Sequence, residues 1–206
     1  MNTKITTIAA TAALLTGCNM ENPFLTESPL EYGAPQFDKI RNEHYAPAIK
    51  QGITEAKAET DAIVACTDEP DFNNVILPLE ESGETLGRVA SIFFNLLEAD
   101  TDDEKQAIAE EISPLMTEFS MYVSLNDSLF QKVKAVYEKR ESLNLEPDQL
   151  RLLEKTYKGF VRNGANLGEE DKKTYSALEE ELSLATLKFG KNSLAATNAF
   201  TLDLTE

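Results

Sequence analysis

Histidine is almost missing from this chain: His44 is the only one in 206 residues. A single imidazole excludes the helical zinc motif H-E-x-x-H and any two-histidine metal site. It leaves a Ser-His-Asp or Cys-His arrangement only through His44, and no nucleophile-elbow glycine pattern accompanies it. His44 is therefore expected as a partly buried residue at a helix start. Cations are also scarce, with 19 Lys+Arg against 36 Asp+Glu and a formal charge of −17. Phosphate neutralisation needs clustered cations, so nucleic acid is excluded as a partner. The same deficit disfavours electrostatic adhesion to anionic lipid heads. Tryptophan is absent, and the two cysteines, Cys18 and Cys66, are not both free for a disulfide if Cys18 has another use. No phosphate-cradling glycine loop is present.

Cys18 does have another use in view. Lys4 supplies a positive n-region, and Ile5 to Leu15 is apolar but too short to span a bilayer. Leu15-Thr16-Gly17-Cys18 then reads as a lipobox. Residues 1–17 are expected to be a removable lipoprotein signal peptide, with Cys18 as the lipidation site. The implied location is the bacterial cell envelope, with the membrane contacted through acyl chains and not through a spanning helix. Cys66 is left as a small apolar filler near a helix end.

The sequence divides into the signal peptide, a lipidated tether and extended lead-in at 18–37, and a helical domain at 38–206. Pro23, Pro29, Gly33 and Pro35 forbid a continuous helix in the lead-in, while Phe24, Leu25, Leu30, Tyr32 and Phe37 are candidates to pack on the core. From Asp38 onward helical spacing dominates. Pro47 suits a first turn, and Ile49, Ile53, Ala56, Ala62 and Ile63 follow it. Pro70 ends that helix, and Asp71 or Asn73 caps the next. Thr101 and Glu104 have capping-box spacing ahead of Ile108, Ile112, Leu115 and Phe119. Pro114 is expected to kink or divide that helix. Further helices start at Asn126 or Asp127 and near Pro147, the latter ending at Gly164. The last runs roughly from Glu170 to Asn198, with Tyr175, Leu178, Leu182, Ala185, Phe189 and Leu194 along one face. Ala199 to Leu204 alternates apolar and polar residues, which is a strand pattern with no partner upstream. The fold class is thus all-α, a multi-helix antiparallel array with an incomplete strand at the C-terminus.

The search for chemistry yields no catalytic and no metal-ligating residue. Acidic runs at Glu80-Glu81, Asp102-Asp103-Glu104, Glu110-Glu111 and Glu179-Glu180-Glu181 lack the alternating ligands and turn glycine of calcium loops, and read as solvated helix faces. Phe93-Phe94 reads first as core and second as the lining of a ligand groove.

Several segments, taken in order, resemble the N-terminal region of M3 (thimet oligopeptidase-like) zinc metallopeptidases, and among them bacterial dipeptidyl carboxypeptidases. They are Asn22-Pro23-Phe24, Phe37-Asp38-Lys39-Ile40, His44-Tyr45-Ala46-Pro47-Ala48-Ile49, Phe72-Asn73-Asn74-Val75-Ile76 and Phe93-Phe94-Asn95-Leu96-Leu97. Leu152-Leu153-Glu154, Phe160-Val161-Arg162 and Leu194-Ala195-Ala196-Thr197-Asn198 continue the series. The resemblance implies a helical array forming one wall of a deep channel, and hydrolysis of short peptides with release of C-terminal dipeptides. It implies zinc in the complete enzyme, held by H-E-x-x-H and a downstream glutamate, none of which can be carried onto this chain. No cofactor is therefore expected in these residues. The expected partners are a missing C-terminal catalytic half and, through it, short peptides. The alternative is a free-standing helical envelope lipoprotein that acts as a binding module.

Overall fold

The computed structural model describes residues 22–202, so residues 1–17, Cys18 and the last two residues of the strand pattern lie outside it. The described residues are helical almost throughout: α1 Tyr45–Ala65, a π-turn Phe72–Ile76, α2 Leu77–Glu81, α3 Glu84–Ala99, α4 Asp103–Ser124, α5 Asp127–Glu138, α6 Pro147–Arg162 and α7 Glu169–Ala199. The all-α reading holds.

Helix α1 organises the array. Its first half packs with α3 and α4 around Tyr45, Ile49, Val89, Phe93 and Ile112, a cluster that Phe24 of the lead-in joins. Its last turns, through Ile63, join a second cluster of Phe72, Val75, Ile76, Leu129, Phe130, Val133, Leu153 and Phe160 from the π-turn, α5 and α6. The apolar residues spaced at three and four along α1 thus serve two cores, although Ala62 turns to solvent. Gly52 is what lets α3 approach. A Cβ there would meet the Leu86 backbone nitrogen at 2.8 Å, so only hydrogen fits.

Helix boundaries follow side-chain chemistry. Asp71 accepts from the Asn74 N–H at 2.8 Å and Asn74 reaches back to the Asp71 N–H at 2.9 Å, a reciprocal cap. Asn126 caps α5 through the Leu129 N–H at 3.0 Å. For α4 the cap is Asp102, one residue later than the Thr101–Glu104 spacing suggests, with its Oδ1 accepting from the Lys105 N–H at 2.7 Å. A carboxylate is the stronger acceptor, and the Lys105 ammonium pairs with it as well.

Three expectations are corrected. Pro114 does not divide α4, which runs unbroken across it. Proline costs the bond to the Glu110 carbonyl, but Ile112 and neighbours hold both sides of the helix on one core. The strand expected at 199–204 is absent among the described residues: Ala199 closes α7, and Phe200–Leu202 carry no partner strand, without which a ladder cannot form. Of the lead-in residues proposed for the core, only Phe24 is buried, whereas Leu25, Leu30, Tyr32 and Phe37 are exposed.

Candidate functional site

Helix α7 spans about 45 Å at 1.5 Å per residue, and it lies chiefly along α4. Lys172 is its one buried residue, and beyond it only a few side chains, Leu187 among them, rest on the body of the domain. Between α7, α4 and the end of α3 opens a groove with a cavity volume of about 920 Å³. Ala109, Ser113 and Met116 of α4 line its floor; Phe94 and Leu97 come from α3; Leu182, Phe189 and Leu194 come from α7.

The groove is apolar with an acidic rim. Glu98, Glu110 and Glu179 border it, and the one ammonium among its lining residues, Lys191, is held by Glu110 at 3.1 Å. The Tyr175 hydroxyl donates to Glu179, and that bond raises the phenol above its ordinary range. The edge of α7, at the groove and beyond it, is exposed and apolar, with Leu178 and Leu182 each 58% and Phe189 75% exposed. Leucine and phenylalanine exposed along one stripe of a helix form a surface suited to interaction. The arrangement can bind apolar surface. It contains no nucleophile paired with a base.

The other residues singled out by sequence fall elsewhere. His44 is buried immediately before α1, where its Nδ1 accepts from the Arg41 N–H at 3.0 Å and its carbonyl accepts from Asn22 Nδ2 at 2.8 Å. It is a helix-start residue. Cys66 is half-buried at the C-terminal end of α1, beside a shallow depression with Glu59 and Asn74. Phe93 is core and Phe94 lines the groove, so the pair divides between the two readings. The acidic runs lie on helix faces or caps: Glu111 pairs with Lys50 at 2.6 Å, and Asp102 with Lys105. Sequence inspection overlooked Lys172, whose burial has no local signature. It also overlooked the Tyr175–Glu179 bond, although the i, i+4 spacing on a helix signals it.

The described helices bury two apolar cores and leave one apolar edge of α7 exposed. Residues 49–172 match the family model described as "Neurolysin/Thimet oligopeptidase, N-terminal domain". The chain belongs to this family. It is 43% identical over 178 residues to a dipeptidyl carboxypeptidase of Escherichia coli K12, a match covering 86% of this chain and 26% of that protein. The dipeptidyl carboxypeptidase of Salmonella typhimurium is 41% identical over the same shares. Oligopeptidase A of Escherichia coli is 26% identical over 187 residues, 91% of this chain and 27% of the relative. The chain thus spans about a quarter of the length of the curated relatives it matches.

Zinc, which the peptidase family implies, does not fit the residues described. The lone imidazole already spends its Nδ1 on the Arg41 N–H, and no three His, Cys, Asp or Glu side chains converge on one point among the described residues. A tetrahedral site needs three protein ligands aimed at one position.

Proposed function

We propose that this chain supplies the N-terminal, channel-wall portion of a zinc metallopeptidase that hydrolyses oligopeptides in the peptidyl-dipeptidase manner. The zinc ligands and general base belong to polypeptide outside these residues. The protein is held to a bacterial envelope membrane by lipid on Cys18, after removal of residues 1–17. The observation that carries the reading is the bare apolar stripe of α7, joined to the likeness to dipeptidyl carboxypeptidase across nearly the whole chain. That stripe and the adjoining groove are where a catalytic portion would sit. A rigid helical wall beside the reacting centre admits an extended peptide and excludes a folded protein.

Exchange tests the peptidase part. Residues 22–202 replace the matching N-terminal quarter of the Escherichia coli dipeptidyl carboxypeptidase, and dipeptide release from a short peptide is measured. Release by the chimera at a rate near that of the parent is the expected result. A soluble, zinc-loaded chimera without activity refutes the wall assignment, and zinc-dependent turnover by this chain alone refutes the claim that catalysis lies elsewhere. For the anchor, labelled fatty acid should enter the protein and vanish in Cys18→Ser. Equal labelling of both removes the lipoprotein reading.

A further inference from the structure

The lead-in from Asn22 to Ile40 is fastened at both ends and turned outward between them. Phe24 is sunk in the core, its ring 5.1 Å from that of Tyr45, and its carbonyl accepts from Arg88 Nη2 at 3.0 Å. Gln36 and Ile40 are buried at the other end. Between them Ser28 closes a loop: its hydroxyl donates to the Ala34 carbonyl at 2.6 Å and accepts from the Leu30 N–H at 3.3 Å. The Gly33 N–H donates to the Leu30 carbonyl at 3.1 Å, which completes a tight tip.

What these braces hold out is apolar. Leu25, Leu30 and Phe37 are exposed, and Tyr32 at the tip is 96% exposed. Tyr32 also has φ 59°, a left-handed conformation that a bulky side chain adopts at a steric cost. A braced loop that holds an aromatic ring in water against its backbone preference gains no packing among the described residues.

Two features select the partner. The first is charge: residues 22–37 include Glu27 and Glu31 and no lysine or arginine, which favours a neutral surface over an anionic one. Tyrosine, leucine and phenylalanine beside such carboxylates suit the interfacial layer of a bilayer, where amphipathic rings settle. The second is reach. Only four peptide units separate Cys18 from Asn22, so a lipid on Cys18 keeps the start of the loop within about 14 Å of the headgroups at roughly 3.5 Å per residue.

We infer that Leu25, Leu30, Tyr32 and Phe37 insert into the interfacial layer of a zwitterionic bilayer and hold the domain in one orientation on it. The inference rests on acylation of Cys18 as proposed above. The acyl chains supply attachment, and the loop supplies pose.

The chain contains no tryptophan, so Tyr32→Trp creates a single fluorescent reporter at the tip, and Leu30→Trp is a second one that leaves Tyr32 intact. Each variant is made as the full acylated chain and reconstituted in phosphatidylethanolamine–phosphatidylcholine vesicles, with and without bromine on the upper acyl carbons. Flotation reads anchoring; emission reads insertion. The expected result is flotation with a blue-shifted emission that brominated lipid quenches strongly at both positions, while Phe189→Trp on α7 stays red and unquenched. Flotation with red, unquenched emission at 32 and 30 overturns the loop inference and leaves the anchor standing. Failure to float removes the anchor, and the inference with it. A blue shift without lipid in Cys18→Ser/Tyr32→Trp that grows with protein concentration assigns the loop to a second copy of the chain and overturns the bilayer reading.

Discussion

Lys172 reaches from the first turn of α7 across the junction of α4 and α5, donating to the Leu125 carbonyl at 3.2 Å and pairing with the Asp127 carboxylate. Its side chain is 8% exposed, while that of Asp127 is 62% exposed. The ammonium thus satisfies a carbonyl left over at the end of α4 and, through Asp127, also ties in the first turn of α5. Replacement by methionine keeps the stem and removes the donor. The partner carboxylate stays hydrated, so the cost is that of an orphaned carbonyl, about 1–3 kcal/mol. Urea unfolding measures it, and hydrogen exchange should show α7 losing protection before the rest of the domain.

Gly52 and Gly87 predict opposite signs for the same substitution. At Gly52 a methyl meets the Leu86 backbone nitrogen at 2.8 Å and Cα at 2.9 Å, and neither yields without moving α3. Overpacking of that kind costs about 1–3 kcal/mol and outweighs the roughly 1 kcal/mol that alanine gains in helix propensity. Gly87 lies inside α3 with no atom near its missing Cβ. Gly87→Ala should therefore stabilise the protein by about 0.5–1 kcal/mol. Thermal melts of the two variants decide the matter, and a stabilised Gly52→Ala would contradict the close contact of α1 with α3.

The cap of α4 carries a pH dependence. Hydrogen bonds from the Lys105 ammonium, then from its backbone N–H, hold the Asp102 carboxyl below the ordinary aspartate range, helped by Asn42. A lowered folded-state value means that its stabilisation is present above the unfolded value, near 3.9, and is lost as pH falls through the folded one. Asp102→Ala should cost about 1 kcal/mol at neutral pH. The gap between variant and wild type should narrow in urea titrations below about pH 4. A gap independent of pH would mean that the carboxylate charge contributes nothing.

The stripe on α7 separates stability from assembly. Leu182→Ser and Phe189→Ser change side chains that are already largely in water, so the unfolding midpoint should shift by no more than about 0.5 kcal/mol equivalent. Binding of a hydrophobic dye to the isolated chain should fall. In the chimera described above, the same pair should lower peptidase activity by weakening contact with the catalytic portion. Strong destabilisation of the chain itself would place these residues in its own core instead.

Local chemistry made much of this molecule legible in advance. Pro47, Pro147 and Gly164 mark helix limits because missing N–H groups and a positive φ act within one turn, and all three stand at or near the observed boundaries, whereas α1 already ends at Ala65, ahead of Pro70. Asp71 and Asn126 cap because a short polar side chain reaches only its own helix start. The scarcity of imidazole fixed the reading of His44 for a similarly simple reason, since one ring cannot build a two-histidine site. Periodicity located the apolar face of each helix, including Leu178, Leu182 and Phe189 on α7.

Periodicity does not say what an apolar face meets. Ile49 and Val133 are buried and Phe189 is in water, although all three sit in helical apolar patterns. That difference arises from which helices pass beside which, and it depends on contacts between residues far apart in sequence. The same holds for the lead-in, where Phe24 found a slot beside Tyr45 and Phe93 while Tyr32 found none. Sequence by itself determined the helices and most of their caps, because each rests on interactions within about one turn. Only the tertiary structure decided that the other described residues leave the apolar edge of α7 and the tip at Tyr32 uncovered, because exposure is set by neighbours that the fold brings or fails to bring.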